Sequence, residues 1–144
     1  MRKIEWLTSG VELPSLSFDV IVRWLDLVAQ SHGRFISEIT YMFCDDAKIL
    51  EVNNRFLSHD YYTDIITFDY SRGKQIAGDV FISLDTVRSN AEALEKSYDD
   101  ELRRVIAHGL LHLCGINDKG PGEREIMEAN EDAALRLFDT LCTD

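Results

Sequence analysis

Along the first residues of the chain, Ile4 and Trp6 alternate with charged neighbours, which predicts a short strand over Arg2–Leu7. Pro14 and Ser15 interrupt the pattern. From Phe18 to Val28 the apolar residues recur at helical spacing, with Ser17 placed to cap the helix and Gly33, after His32, placed to end it. Ile36 to Cys44 alternates again and is rich in β-branched and aromatic residues, a second strand. Asp45 and Asp46 can cap a helix running to about Phe56. Asp64 to Tyr70 reads as a strand, Arg72 to Gln75 as a turn, and Ile76 to Ser83 as a further, partly hairpin-like strand. A helix follows from Ser83 or Asp85 to about Glu95. Ser97 then caps a long helix, Tyr98 to Cys114, which Gly115 stops. Lys119-Gly120-Pro121-Gly122 is a break before a last amphipathic helix, Glu123 to Leu141.

These elements predict an α/β (α+β) domain with a small, mostly parallel sheet of four strands and about five helices. The βα crossovers require some parallel pairing, and strand order is not fixed by the pattern. A length of 144 residues fits one domain, 1–144, and 45% hydrophobic against 28% charged residues is a globular composition. No apolar run approaches the roughly 18 residues of a membrane span, and no apolar stretch follows the basic N-terminal residues as in a secretory signal. Cys44, Cys114 and Cys142 are an odd set without paired spacing, which argues against a disulfide framework and for the cytoplasm.

The net charge of −11 changes the picture. A protein that binds nucleic acid by its own surface is usually basic, so any nucleic-acid role must use a local basic patch or a partner that delivers the substrate. The acid excess of Asp99–Glu101 and of residues 123–144 reads as a solvated surface.

The chemistry is concentrated in His108-Gly109-Leu110-Leu111-His112-Leu113-Cys114-Gly115-Ile116-Asn117-Asp118. Two histidines four apart on a helix lie one turn apart on one face and can share a metal ion. Gly115 can take the left-handed backbone that turns the chain back and brings Asp118 to the same point. Two imidazoles and a carboxylate suit one Zn2+ and leave a fourth position open, as in catalytic zinc sites. Leu110, Leu111 and Leu113 read as core, and Cys114 as a small buried hydrophobe rather than a ligand. Gly109 stands where zinc peptidases carry their general-base Glu, which speaks against peptide hydrolysis. Outside this stretch, Thr63-Asp64 reads as a turn cap in preference to a chemical role. Gly78 reads as a close approach or bulge, and Asp79 as a turn or strand-end residue. Arg103 and Arg104, one turn before His108, could wall a phosphate site or pair with nearby acids.

The histidine stretch resembles the H-G-x-L-H-L-x-G-Y-D-H motif of the YbeY endoribonucleases, the ribosomal RNA maturation factors. Tyr62-Thr63-Asp64-Ile65-Ile66-Thr67-Phe68 resembles that family's P-T-D-V-L-S-F. Ala77-Gly78-Asp79-Val80-Phe81-Ile82-Ser83 resembles its L-G-D-I-x-I-S, and Val52-Asn53 its L-N. The resemblance implies a zinc protein that cleaves single-stranded RNA in 16S rRNA 3′-end maturation and ribosome quality control. Its implied partners are the small ribosomal subunit or a ribosomal protein. It places the metal histidines on His108 and His112 and the third ligand, a histidine in the family, on Asp118. It also places Leu57 where the family has an arginine that meets RNA phosphate, which leaves Arg55, His59 and Arg103 as candidate phosphate contacts. The alternative reading is a non-catalytic ribosome-assembly factor whose metal is structural.

Overall fold

The β-branched and aromatic runs Phe35–Cys44 (β2) and Gln75–Ser83 (β4) pair in parallel and form the middle of the sheet. The computed structural model describes residues 3–57 and 63–142. Among these, β1 (Ile4–Ser9) pairs in parallel with the outer side of β2. On the other side, β3 (Ile65–Asp69) pairs antiparallel with β4, so the sheet order is β1-β2-β4-β3 and β3 is an edge. The expectation of a mostly parallel sheet with one hairpin holds. The first strand runs to Ser9 rather than Leu7, because the register with β2 continues to Ser9 opposite Cys44. Asp79 is not at a strand end. It sits inside β4 between Thr40 and Phe68 and accepts the Tyr70 hydroxyl at 3.2 Å.

The helices are α1 (Phe18–Ser31), α2 (Asp46–Leu57), α3 (Leu84–Ala93), α4 (Tyr98–Leu113) and α5 (Glu123–Cys142). Ser97 caps α4 by accepting the Asp100 N–H, and Ser83 caps α3 by accepting the Thr86 N–H. Asp45 caps α2 by accepting the Lys48 N–H at 2.8 Å. Asp46 instead joins two helices. Its Oδ1 accepts the hydroxyls of Ser83 and Thr86, each at 2.6 Å, and ties α2 to α3. Ser17 stands at the N-cap of α1 but makes no side-chain capping bond. Its ψ of 88° falls short of the extended backbone that Ser97 adopts with ψ of 151°.

The core fixes α4 against the sheet. Leu102, Val105, Ile106, Leu110, Leu111 and Leu113 are buried with Ile39, Val80 and Ile82 of the central strands. The buried Tyr41 hydroxyl donates to the Ile106 carbonyl at 2.9 Å. Two close approaches set how near the helix lies. A Cβ at Gly109 would fall 2.9 Å from Val80 and 3.1 Å from Ile65, and one at Gly78 would fall 2.8 Å from Leu113. Gly78 is therefore the close approach its sequence context suggested. Across the molecule, Trp24 of α1 donates its indole N–H to the Ala134 carbonyl at 2.6 Å and anchors α5. The result leaves the C-terminal half of α4 framed by β3 on one side and α5 on the other.

Candidate metal centre

With the leucine stripe of α4 buried, His108 and His112 emerge together on the remaining face, their ring centroids 5.4 Å apart. Gly115 has φ of +93°, the left-handed turn that a side chain would strain, and the chain doubles back through Asn117. Asp118 is thereby returned to the histidines. Its Oδ2 lies 3.3 Å from His108 Nε2 and its Oδ1 lies 3.4 Å from His112 Nε2. One donor atom from each of the three residues lies within 4.8 Å of the other two. Cys114 is buried and is not among the donor atoms that converge at this point; burial pushes its thiol up to about 11.

A fourth residue completes the geometry. Glu131 of α5 is buried, and its Oε2 accepts the Nδ1–H of His108 at 2.6 Å. Its Oε1 is held by Arg104 at 2.8 Å. With the proton fixed on Nδ1, the Nε2 lone pair of His108 is aimed at the common point, the arrangement that orients metal-binding histidines. Burial favours the uncharged form of His108. The bond to Glu131 and the charges of Glu131, Asp118 and Asp64 outweigh it and raise the imidazole above its ordinary value. The pocket thus favours positive charge where the donors converge. Two imidazole nitrogens, one carboxylate and a carboxylate behind the first imidazole fit a single divalent cation.

The donors lie on the wall of an open cavity of about 690 Å³. It is also lined by Thr63 and Asp64, by Ile65, Ile66 and Thr67 of the edge strand, and by Asn53 of α2. A family model described as Endoribonuclease YbeY matches residues 11–139. The chain belongs to the YbeY family. Curated relatives named Endoribonuclease YbeY include those of Phocaeicola vulgatus, 62% identical, and Bacteroides thetaiotaomicron, 58% identical. The matches cover 94% and 93% of this chain, and 98% of each relative. The solution structure of a Thermotoga maritima protein has the same fold, with a TM-score of 0.64 at 22% identity over 94% of this chain and 88% of that one.

Of the candidate phosphate contacts Arg55, His59 and Arg103, the first and last do not line the cavity. Arg103 pairs with Asp100 at 2.6 Å and lies 4.6 Å over the Phe138 ring, away from the cavity. Arg55 ends α2 beside Phe56, 5.7 Å from its ring, and is not on the cavity wall. His59 lies outside the described residues. The cations on the wall, among the described residues, are Lys119 and Arg124. Lys119 directly follows Asp118. Arg124 pairs with Glu128 of its own helix, at 3.1 Å and largely in solvent.

Three wall residues were not assigned chemistry from sequence. Glu131 had a readable signal, since it falls on the apolar stripe of α5 between Met127 and Ala134, where an unpaired charge would be costly. From sequence Asp64 reads as a turn cap. It does stand at the bend into β3, but it also lies on the cavity wall, where burial raises its carboxyl and the nearby His108 charge opposes the shift. Asn53 carried only the Leu-Asn resemblance, and it is almost fully buried at the cavity.

Proposed function

We propose that the protein is a metal-dependent endoribonuclease that cleaves single-stranded RNA in 16S rRNA 3′-end maturation and ribosome quality control. The observation that carries this reading is the convergence of His108 Nε2, His112 Nε2 and the Asp118 carboxylate on the wall of an open cavity. His108, His112 and Asp118 would hold one Zn2+, the ion that two imidazoles and a carboxylate suit. Such an ion supplies a Lewis acid that polarises a phosphoryl oxygen and acidifies water.

The chain's own residues do the rest. Glu131 keeps His108 in the ligating tautomer, and Arg104 keeps Glu131 in place. Lys119 and Arg124 meet the phosphates that flank the scissile bond, in the role the family gives to an arginine at position 57. Ile65, Ile66 and Thr67 of the edge strand and Asn53 also line the cavity, which is open among the described residues and would take the nucleotide strand. Position 109 faces Val80 and Ile65 rather than the cavity, so no side chain there can act as a peptidase base. With a net charge of −11, most of the substrate affinity comes from the small ribosomal subunit or a ribosomal protein. The cytoplasm is the compartment that fits this partner and three free cysteines, two of them buried.

The reading of a structural metal in a non-catalytic assembly factor has less support. The core closes around Trp24, Tyr41 and Leu110, and the ligands stand at its margin beside open space. The test is cleavage of a single-stranded RNA spanning the 16S 3′ end. The protein should cut it and His112→Ala should not. Equal cleavage by both would refute the proposal.

A further inference from the structure

With no base at position 109, another group must take the proton of the attacking hydroxyl. Among the described residues, the cavity wall carries five carboxyl side chains, and four are already engaged. Asp118 faces both histidines. Glu131 holds His108 and Arg104. Glu123 Oε1 accepts the Gly120 N–H at 2.6 Å, closing the turn before α5. Glu128 pairs with Arg124. The fifth is Asp64. Among the described residues it forms no ion pair with a lysine or arginine, and the hydrogen bonds to its carboxyl come from the neighbouring Thr63 hydroxyl and its own backbone.

We infer that Asp64 is the general base of the reaction, taking up the proton of the hydroxyl that attacks the phosphodiester. This rests on the endoribonuclease reading above. The backbone there is held in place, because the Ser83 N–H donates to the Asp64 carbonyl at 2.9 Å and fixes residue 64 beside the end of β4. The charges that act on its carboxyl are those of His108 and Glu101 from α4 and Glu131 from α5, and the Thr63 hydroxyl hydrogen-bonds it. Burial is the largest influence and raises the carboxyl from its ordinary value, in the direction a base working near neutral pH needs. The attacking O–H, of water or of a ribose, gives its proton to the Asp64 carboxylate as its oxygen bonds to phosphorus. The bond from phosphorus to the leaving ribose oxygen breaks with its electron pair on that oxygen, which is protonated by solvent. Asp64 then returns its proton to solvent.

The test compares the metal-loaded parent with Asp64→Asn, using single-stranded RNA cleavage, metal content by mass spectrometry and thermal melting. Asp64→Asn should stay folded, keep the parent's metal content and bind RNA with little change in KM. Its kcat should fall by about 10²- to 10⁴-fold. The acid limb of the parent's pH–rate profile should flatten. A variant that cleaves at the parent's rate overturns the inference, as does one that loses its metal together with its activity. Asp64→Ser, measured in the same way, replaces the asparagine variant if that one melts early. If the metal-loaded parent does not cut RNA, the endoribonuclease reading fails and Asp64's role fails with it. If the parent cuts and Asp64→Asn cuts equally, only the role of Asp64 fails.

Discussion

Glu131 takes the Nδ1–H of His108 across 23 positions of sequence, and its value lies in aiming a ligand rather than in binding the ion itself. Glu131→Gln should therefore weaken metal affinity by about 10- to 100-fold, measured by competition with a chelator, while the helices persist. Unchanged affinity would show that the bond does not orient the ring. Glu101 is a second instructive carboxyl. It is 5% exposed, and its Oε1 has no hydrogen-bond partner. Burial raises its pKa in the folded protein, only partly offset by Lys96 and Arg104. A carboxyl with a raised folded pKa supports the fold fully below its unfolded pKa, and that support is lost as pH rises through the folded value. Glu101→Gln should thus stabilise the protein by on the order of 1 kcal/mol at pH 7 and by little at pH 4, read from urea melts at both values. His108, His112 and Asp118 were legible in sequence because helical spacing and a helix-ending glycine are local rules. Glu131 and Asp64 act on His108 through tertiary packing, which spacing does not encode.

At the scale of elements, caps and close contacts decide how firmly the site is presented. The Ser83 hydroxyl both accepts the Thr86 N–H and donates to Asp46, whereas Ser97 accepts only the Asp100 N–H. Ser97→Ala should cost about 1 kcal/mol and Ser83→Ala more, since it also leaves an Asp46 oxygen short of a donor. Equal losses in urea unfolding would contradict the linking role of Asp46. Gly109→Ala should cost about 1–3 kcal/mol, because its methyl presses on Val80 and Ile65 and pushes α4 off the sheet. Most element boundaries followed from period and capping. The order β1-β2-β4-β3 did not, because alternation says which face of a strand is buried and not which neighbour it takes. The edge position of β3, which makes it a cavity wall, was hidden for the same reason.

At the scale of the molecule, the main core cluster, which runs from Ile4 to Ala134, includes none of His108, His112 and Asp118. Stripping the ion should leave far-UV circular dichroism intact and lower the melting temperature only by the lost ligand linkage. Unfolding on chelation would favour the structural-metal reading. Charge is the other global property. An acidic protein whose cavity wall offers Lys119 and Arg124 should, under the proposed function, bind single-stranded RNA with a shallow salt dependence. The slope of log K against log salt should be roughly −1.4, from about 0.7 per phosphate contact. A steep slope would mean a larger basic surface takes part.

His108, His112 and Asp118 are proposed to bind one ion as a set, with a carboxylate where the YbeY motif has a third histidine. Metal content by mass spectrometry tests it most directly, on the purified protein and on His112→Ala and Asp118→Ala. About one zinc per chain is expected in the parent, with zinc lost in both variants. Zinc retained at the parent level in Asp118→Ala would contradict the proposed ligand set, and a parent that takes up no metal would contradict the centre itself.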